Sequence, residues 1–100
     1  MAKQIEKKIA IENFAQPGKV YLVDATRYGA MKRAFLKVLP KRAPGLTREE
    51  VIAAVTEEVP EKLFPDGHGV TWWSKAVQLD LEAKGVILRE KTRPLRWRKA

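Results

Sequence analysis

The sequence predicts an α+β domain in which three helices are followed by a C-terminal β-hairpin. Three observations carry this expectation. Thr47 and Glu50 form a capping-box pair just ahead of an apolar-periodic stretch. The stretch 71–84 has apolar residues over nearly half of a helical circumference and ends at Gly85, a residue that readily takes the left-handed conformation closing a helix. In the last segment, apolar residues alternate with arginines after a Thr92-Arg93-Pro94 turn, the period-two pattern of a strand with one face inward.

Taken in order, residues 1–18 mix Lys, Glu and Gln with Ile5, Ile9 and Ile11 and break at Gln16-Pro17-Gly18. They are expected to form a flexible N-terminal arm, with 19–100 as the folded domain. Val20, Tyr21, Leu22 and Val23 make a short β-prone run, and Asp24 or Thr26 can then cap a helix reaching about Leu39. Tyr28, Met31, Ala34, Phe35, Val38 and Leu39 share its inner side, Arg33 and Lys37 lie opposite, and Pro40 stops it. The second helix runs from the Thr47 cap to about Val59, with Val51, Ile52, Val55 and Val59 inward and Arg48, Glu49, Glu57 and Glu58 outward, until Pro60 ends it. Residues 60–70 read as a connection containing the loop Pro65-Asp66-Gly67-His68-Gly69.

Thr71 is expected to cap the third helix. Trp72, Ala76, Leu79 and Ala83 form one stripe, Trp73, Val77 and Leu81 an adjacent one, and Ser74, Lys75, Gln78 and Glu82 are left as the outer surface. The strands 86–91 and 95–99 then direct Leu95 and Trp97 toward the helices and Arg96 and Arg98 away. A core in which Trp72, Leu79, Phe35 and Val55 meet follows from these faces.

One hundred residues suit one domain and are too few for two. The absence of cysteine excludes disulfides, thiolate metal sites and a cysteine nucleophile. No apolar run approaches the roughly 18 residues of a membrane span, and no signal segment is apparent, so a cytoplasmic, bacterial-type location is expected without membrane association. The net charge of +8 is clustered. Residues 27–42 carry six basic and no acidic side chains, 43–83 carry three basic against eight acidic, and 84–100 carry seven basic against one. Clustered charge makes a field, whereas uniform charge only keeps a chain in solution.

Little points to catalysis. His68 is the only histidine, and with Asp66 alone beside it in a Gly-rich loop it lacks the three or four ligands of a zinc site. No nucleophile–base pair or phosphate-cradling loop is present, so the reading is non-enzymatic, with no metal and no cofactor. Trp72 and Trp97 read as core. Trp73 is more open, and suits a partner surface, a dimer contact or a nucleobase.

The order of helix, short extended piece at Gly45-Leu46, capped helix, helix, glycine and basic hairpin resembles a winged helix-turn-helix domain over about residues 25–99. The resemblance is carried by Leu46-Thr47-Arg48-Glu49-Glu50-Val51, by the run from Val77 to Ile87 and by Leu95-Arg96-Trp97-Arg98. Through Trp72-Trp73 and Val77-Gln78-Leu79-Asp80-Leu81-Glu82 the chain is also similar to a family of small uncharacterised bacterial proteins. In winged helices that bind duplex DNA the third helix enters the major groove and wing cations reach the backbone. The resemblance therefore implies that Ser74, Lys75 and Gln78 face bases and that Arg89, Lys91, Arg93, Arg96 and Arg98 contact phosphate. Glu82, Glu49 and Glu57 depart from that pattern, because a carboxylate facing DNA repels phosphate. The expected function is nucleic-acid binding through the basic wing, with DNA ahead of RNA as partner. The alternative is a protein-interaction or dimerisation module in which the acidic second helix pairs with a basic wing.

Overall fold

The computed structural model describes residues 7–100. It is an α+β arrangement of three helices and two small antiparallel sheets, in the order β1 (Lys8–Glu12), β2 (Val20–Asp24), α1 (Ala25–Val38), β3 (Leu46–Thr47), α2 (Arg48–Glu58), α3 (Val70–Ala83), β4 (Ile87–Glu90) and β5 (Arg96–Lys99). The three helices and the closing hairpin lie close to their expected bounds, but a second hairpin precedes them.

That hairpin corrects the expectation of a flexible arm over residues 1–18, of which 1–6 lie outside the described residues. β1 pairs with β2 in the register Ile9↔Val23 and Ile11↔Tyr21. Ile9 and Ile11 have the period-two spacing of a strand, and the pairing turns Ile11 and Val23 into the core at 3% and 8% exposure.

Asp24 caps α1 by accepting the Arg27 N–H at 3.0 Å, and Tyr28, Ala30, Met31, Ala34 and Phe35 are buried along one face. α2 opens on the anticipated capping box, with Thr47 Oγ1 accepting the Glu50 N–H at 3.2 Å and Glu50 Oε1 accepting the Thr47 N–H at 2.9 Å. Val51 and Val55 are its buried residues. α3 starts at Val70 after a 3₁₀ turn at Pro65–Gly67. Its N-cap is Gly69 at φ 85° rather than Thr71, a conformation a side-chain-bearing residue resists.

β3, β5 and β4 form a sheet in that order, with Leu46↔Trp97 and Arg89↔Trp97 as neighbours. Gly45 makes this possible, because at φ +88° a Cβ there would stand 2.1 Å from the Trp97 carbonyl oxygen. Lys99 N–H also donates to the Pro40 carbonyl at 2.8 Å, which fastens the 40–45 loop along β5.

The core is built from Met31 and Phe35 of α1, Val51 and Val55 of α2, Val77 and Leu81 of α3, Ile87 and Trp97. Trp97 is buried as expected. Three other placements are corrected. Trp72 is 59% exposed, Leu95 is exposed and lies outside β5, and Leu79 is only partly buried. The cause is the rotation of α3. Of its two apolar stripes, Val77 and Leu81 face the core, and Trp72, Ala76 and Leu79 face the N-terminal hairpin and solvent.

Candidate functional site: an apolar groove beside a basic hairpin

Rotating α3 carries its polar residues inward with Val77 and Leu81. Ser74 is fully buried and donates to the Thr71 carbonyl at 3.0 Å. Gln78, 4% exposed, accepts from Arg48 Nη1 at 2.9 Å and donates through Nε2 to Glu82 Oε1 at 3.1 Å. Glu82 also receives Arg89, whose Nε meets Oε2 at 2.8 Å and whose Nη2 meets Oε1 at 3.1 Å. The result is a continuous line from Arg48 through Gln78 and Glu82 to Arg89. A carboxylate inside a fold needs such partners, since an uncompensated buried charge is costly. Ser74 and Gln78 therefore do not form an outward face, contrary to expectation, and of the three helix residues expected at bases only Lys75 is exposed.

The exposed side of α3 borders a groove of about 830 Å³ whose other wall is the β1–β2 hairpin. Trp72, Ala76 and Leu79 line it from α3, and Ile11, Leu22 and Val23 line it from the hairpin. Two main-chain contacts dock the hairpin: Glu12 N–H donates to Asp80 Oδ1 at 2.8 Å, and Phe14 N–H donates to the Leu79 carbonyl at 3.2 Å. Asp80 is fully buried and also accepts the Tyr28 hydroxyl and Lys84 Nζ, so one carboxylate ties hairpin, α1 and α3 together. Burial, reinforced by the Asp80 carboxylate, holds the Tyr28 hydroxyl well above the ordinary phenol range. At the end of the groove the Trp72 and Trp73 rings meet edge to face, with centroids 5.2 Å apart.

The arginines of the β4–β5 hairpin are mostly engaged within the fold. Arg89 closes on Glu82 and lies against the Phe14 and Trp97 rings, at 5.0 and 5.6 Å from their centroids. Arg96 donates to the Gly45 carbonyl at 3.1 Å and stands 3.5 Å from Glu50. Arg98 pairs with Glu90 at 2.9 Å and reaches the Lys41 carbonyl at 3.2 Å. Lys91 and Arg93, at the hairpin turn, are exposed and form no ion pair among the described residues, and the same holds for Lys41 and Arg42. The five cations expected at phosphate thus divide into three that hold the fold and two that are free of ion pairs among the described residues.

The groove was missed because it needs a partner for an apolar stripe, and that partner is the hairpin hidden in residues 8–24. The available signal was the period-two pair Ile9 and Ile11 ahead of Val20 to Val23. His68 and Asp66 remain in an exposed turn, and among the described residues no group of three His, Cys, Asp or Glu side chains could hold a metal.

Among the described residues no helix is long and apolar enough to cross a membrane. Residues 8–97 match the model of a family of unknown function (DUF6958), and the chain belongs to that family. This agrees with its resemblance to small uncharacterised proteins. No curated protein and no solved structure matches the chain.

Proposed function

Starting from a family that assigns no activity, we propose that this chain is a non-catalytic interaction module on a winged-helix scaffold, with the groove between α3 and the β1–β2 hairpin as its working face. The scaffold reading is supported by the succession α1, β3, α2, α3, β4, β5 and by the pairing of β3 with β5 beside β4. The functional reading is carried by one observation. Of the seven large exposed hydrophobic residues among those described, Phe14, Val20, Tyr21 and Leu22 belong to the hairpin and Trp72 to the facing end of α3. Tyr21, Leu22 and Trp72 line the groove, and exposed apolar side chains gathered there suit an apolar protein segment. The groove gives a nucleic-acid backbone little to pair with, and the hairpin stands where a duplex would have to approach α3.

The experiment is a selection of displayed peptides on the wild-type chain, with the double variant Leu22→Glu, Trp72→Glu as the counter-target. Both side chains are exposed, so the variant keeps its core. Apolar peptides are expected to enrich on the wild type alone. Equal recovery on both proteins removes the reading.

A second reading is favoured by the free cations. Lys91 and Arg93, with Lys41 and Arg42 in the loop along β5, are available to phosphates of DNA or RNA. Two to four such contacts give a slope of about −2 to −4 in log affinity against log salt. Replacing Lys91 and Arg93 by Gln removes about two units of that slope, and an absence of binding to duplex DNA, duplex RNA and single strands at low salt removes this second reading.

A further inference from the structure

The geometry points to a second copy of this chain as the occupant of the groove's open side, joined to the first through strand β2; this rests on the groove being a docking face. The Ala25 N–H donates to the Lys7 carbonyl at 2.9 Å, which sets the alternation of the ladder. Ile9↔Val23 and Ile11↔Tyr21 are then the pairs that exchange hydrogen bonds, and the main-chain groups of Val20 and Leu22 point away from β1. The same alternation turns the Glu12 N–H outward on the other edge, where it meets Asp80. The β1 edge is therefore tied to α3 at Glu12, while the outward main-chain groups of Val20 and Leu22 on β2 have no partner among the described residues.

An open edge is a template for another strand, and folds that must stay single blunt it with charge, proline or a covering loop. Here the edge carries Val20 at 60% and Leu22 at 71% exposure, with no charged residue between Val20 and Val23. β2 set antiparallel to its own copy about Leu22 is a closed two-fold contact, and it extends two hairpins into one four-stranded sheet. Charge favours the same occupant. On a chain of net charge +8, the groove lining holds one cation, Lys75, and one anion, Glu12, so the face is neutral. Two equally basic molecules can approach through such a face. A polyanionic or acidic partner calls for an excess of cations there, which the groove does not have.

The test is sedimentation equilibrium of the full chain from about 1 to 200 µM, at low and high salt, for the wild type and Leu22→Lys. The expected mass rises from 11.4 kDa toward twice that value with concentration and resists salt, because pairing is apolar and main-chain. Leu22→Lys puts two ammonium groups together at the axis and weakens the dimer at least about tenfold with an unchanged circular dichroism spectrum. The Leu22 amide exchanges slowly in the concentrated wild type and rapidly in the variant. A wild type that is monomeric throughout overturns the proposal, as does a dimer that Leu22→Lys leaves intact or that salt dissociates. If the chain is monomeric and the peptide selection still yields groove-dependent binders, the second copy is ruled out and the docking face stands. If both fail, both readings fall.

Discussion

Arg89 and Glu82 meet through two hydrogen bonds between β4 and the last turns of α3, with the Glu82 side chain 1% exposed and that of Arg89 29% exposed. Seven residues apart in sequence, they are joined by the turn at Gly85, whose φ of +72° sends the chain back along the helix. Removing Arg89 leaves the carboxylate with Gln78 alone. Arg89→Met is expected to cost about 2–4 kcal/mol in denaturant unfolding, below the upper range for a fully buried pair because the arginine is partly solvated. Adding Glu82→Leu should recover most of that loss.

The rotation of α3 predicts a reversal within one helix. Leu81 is fully buried, so Leu81→Ala is expected to cost about 2–5 kcal/mol. Leu79 lines the groove and is only partly buried. Leu79→Ala should cost less than about half as much while weakening groove binding, as read by unfolding and peptide titration side by side.

Asp80 receives the Glu12 N–H, the Tyr28 hydroxyl and Lys84 Nζ. Asp80→Ala strands the buried Tyr28 hydroxyl and frees the part-buried Glu12 N–H, at a cost of about 1–3 kcal/mol. The loss should be local before it is global. Hydrogen exchange followed by mass spectrometry is expected to accelerate in peptides covering 8–24 well before those covering α2 respond.

Glu50 supplies a pH dependence. The Thr47 N–H donated to its carboxylate, with Thr47 Oγ1 and Arg96 also contributing, holds the carboxyl below its ordinary value. A carboxyl lowered in the folded state stabilises the fold at pH values above its unfolded value, about 4.3, and that contribution disappears as pH falls through the lower folded value. Thermal unfolding of the wild type should therefore lose stability over this acid window more steeply than Glu50→Gln. Thr47→Ala, which removes the reciprocal bond to the Glu50 N–H, is expected to cost about 1 kcal/mol at neutral pH.

Much of the architecture was determined by sequence alone, because its signals are local. Thr47 and Glu50 are three residues apart and cap α2 wherever that helix lies. Pro40 and Pro60 bar a helix from continuing by chemistry that needs no neighbour. The alternation through Arg96, Trp97 and Arg98 turns the indole inward as soon as a strand forms. Only the tertiary structure decided which face of α3 finds a partner. Its Trp72/Ala76/Leu79 and Val77/Leu81 stripes are equally helical and equally apolar, and periodicity defines faces without saying what covers them. The choice was made by Phe35, Val55 and Ile87 packing on one side and by the hairpin, docked through Asp80, on the other. The same holds for the β4–β5 hairpin. Arginines that read as free cations in a basic run are neutralised by Glu82, Glu50 and Glu90, and two of those pairings, Arg89 with Glu82 and Arg96 with Glu50, need carboxylates that chain folding brings in from other elements.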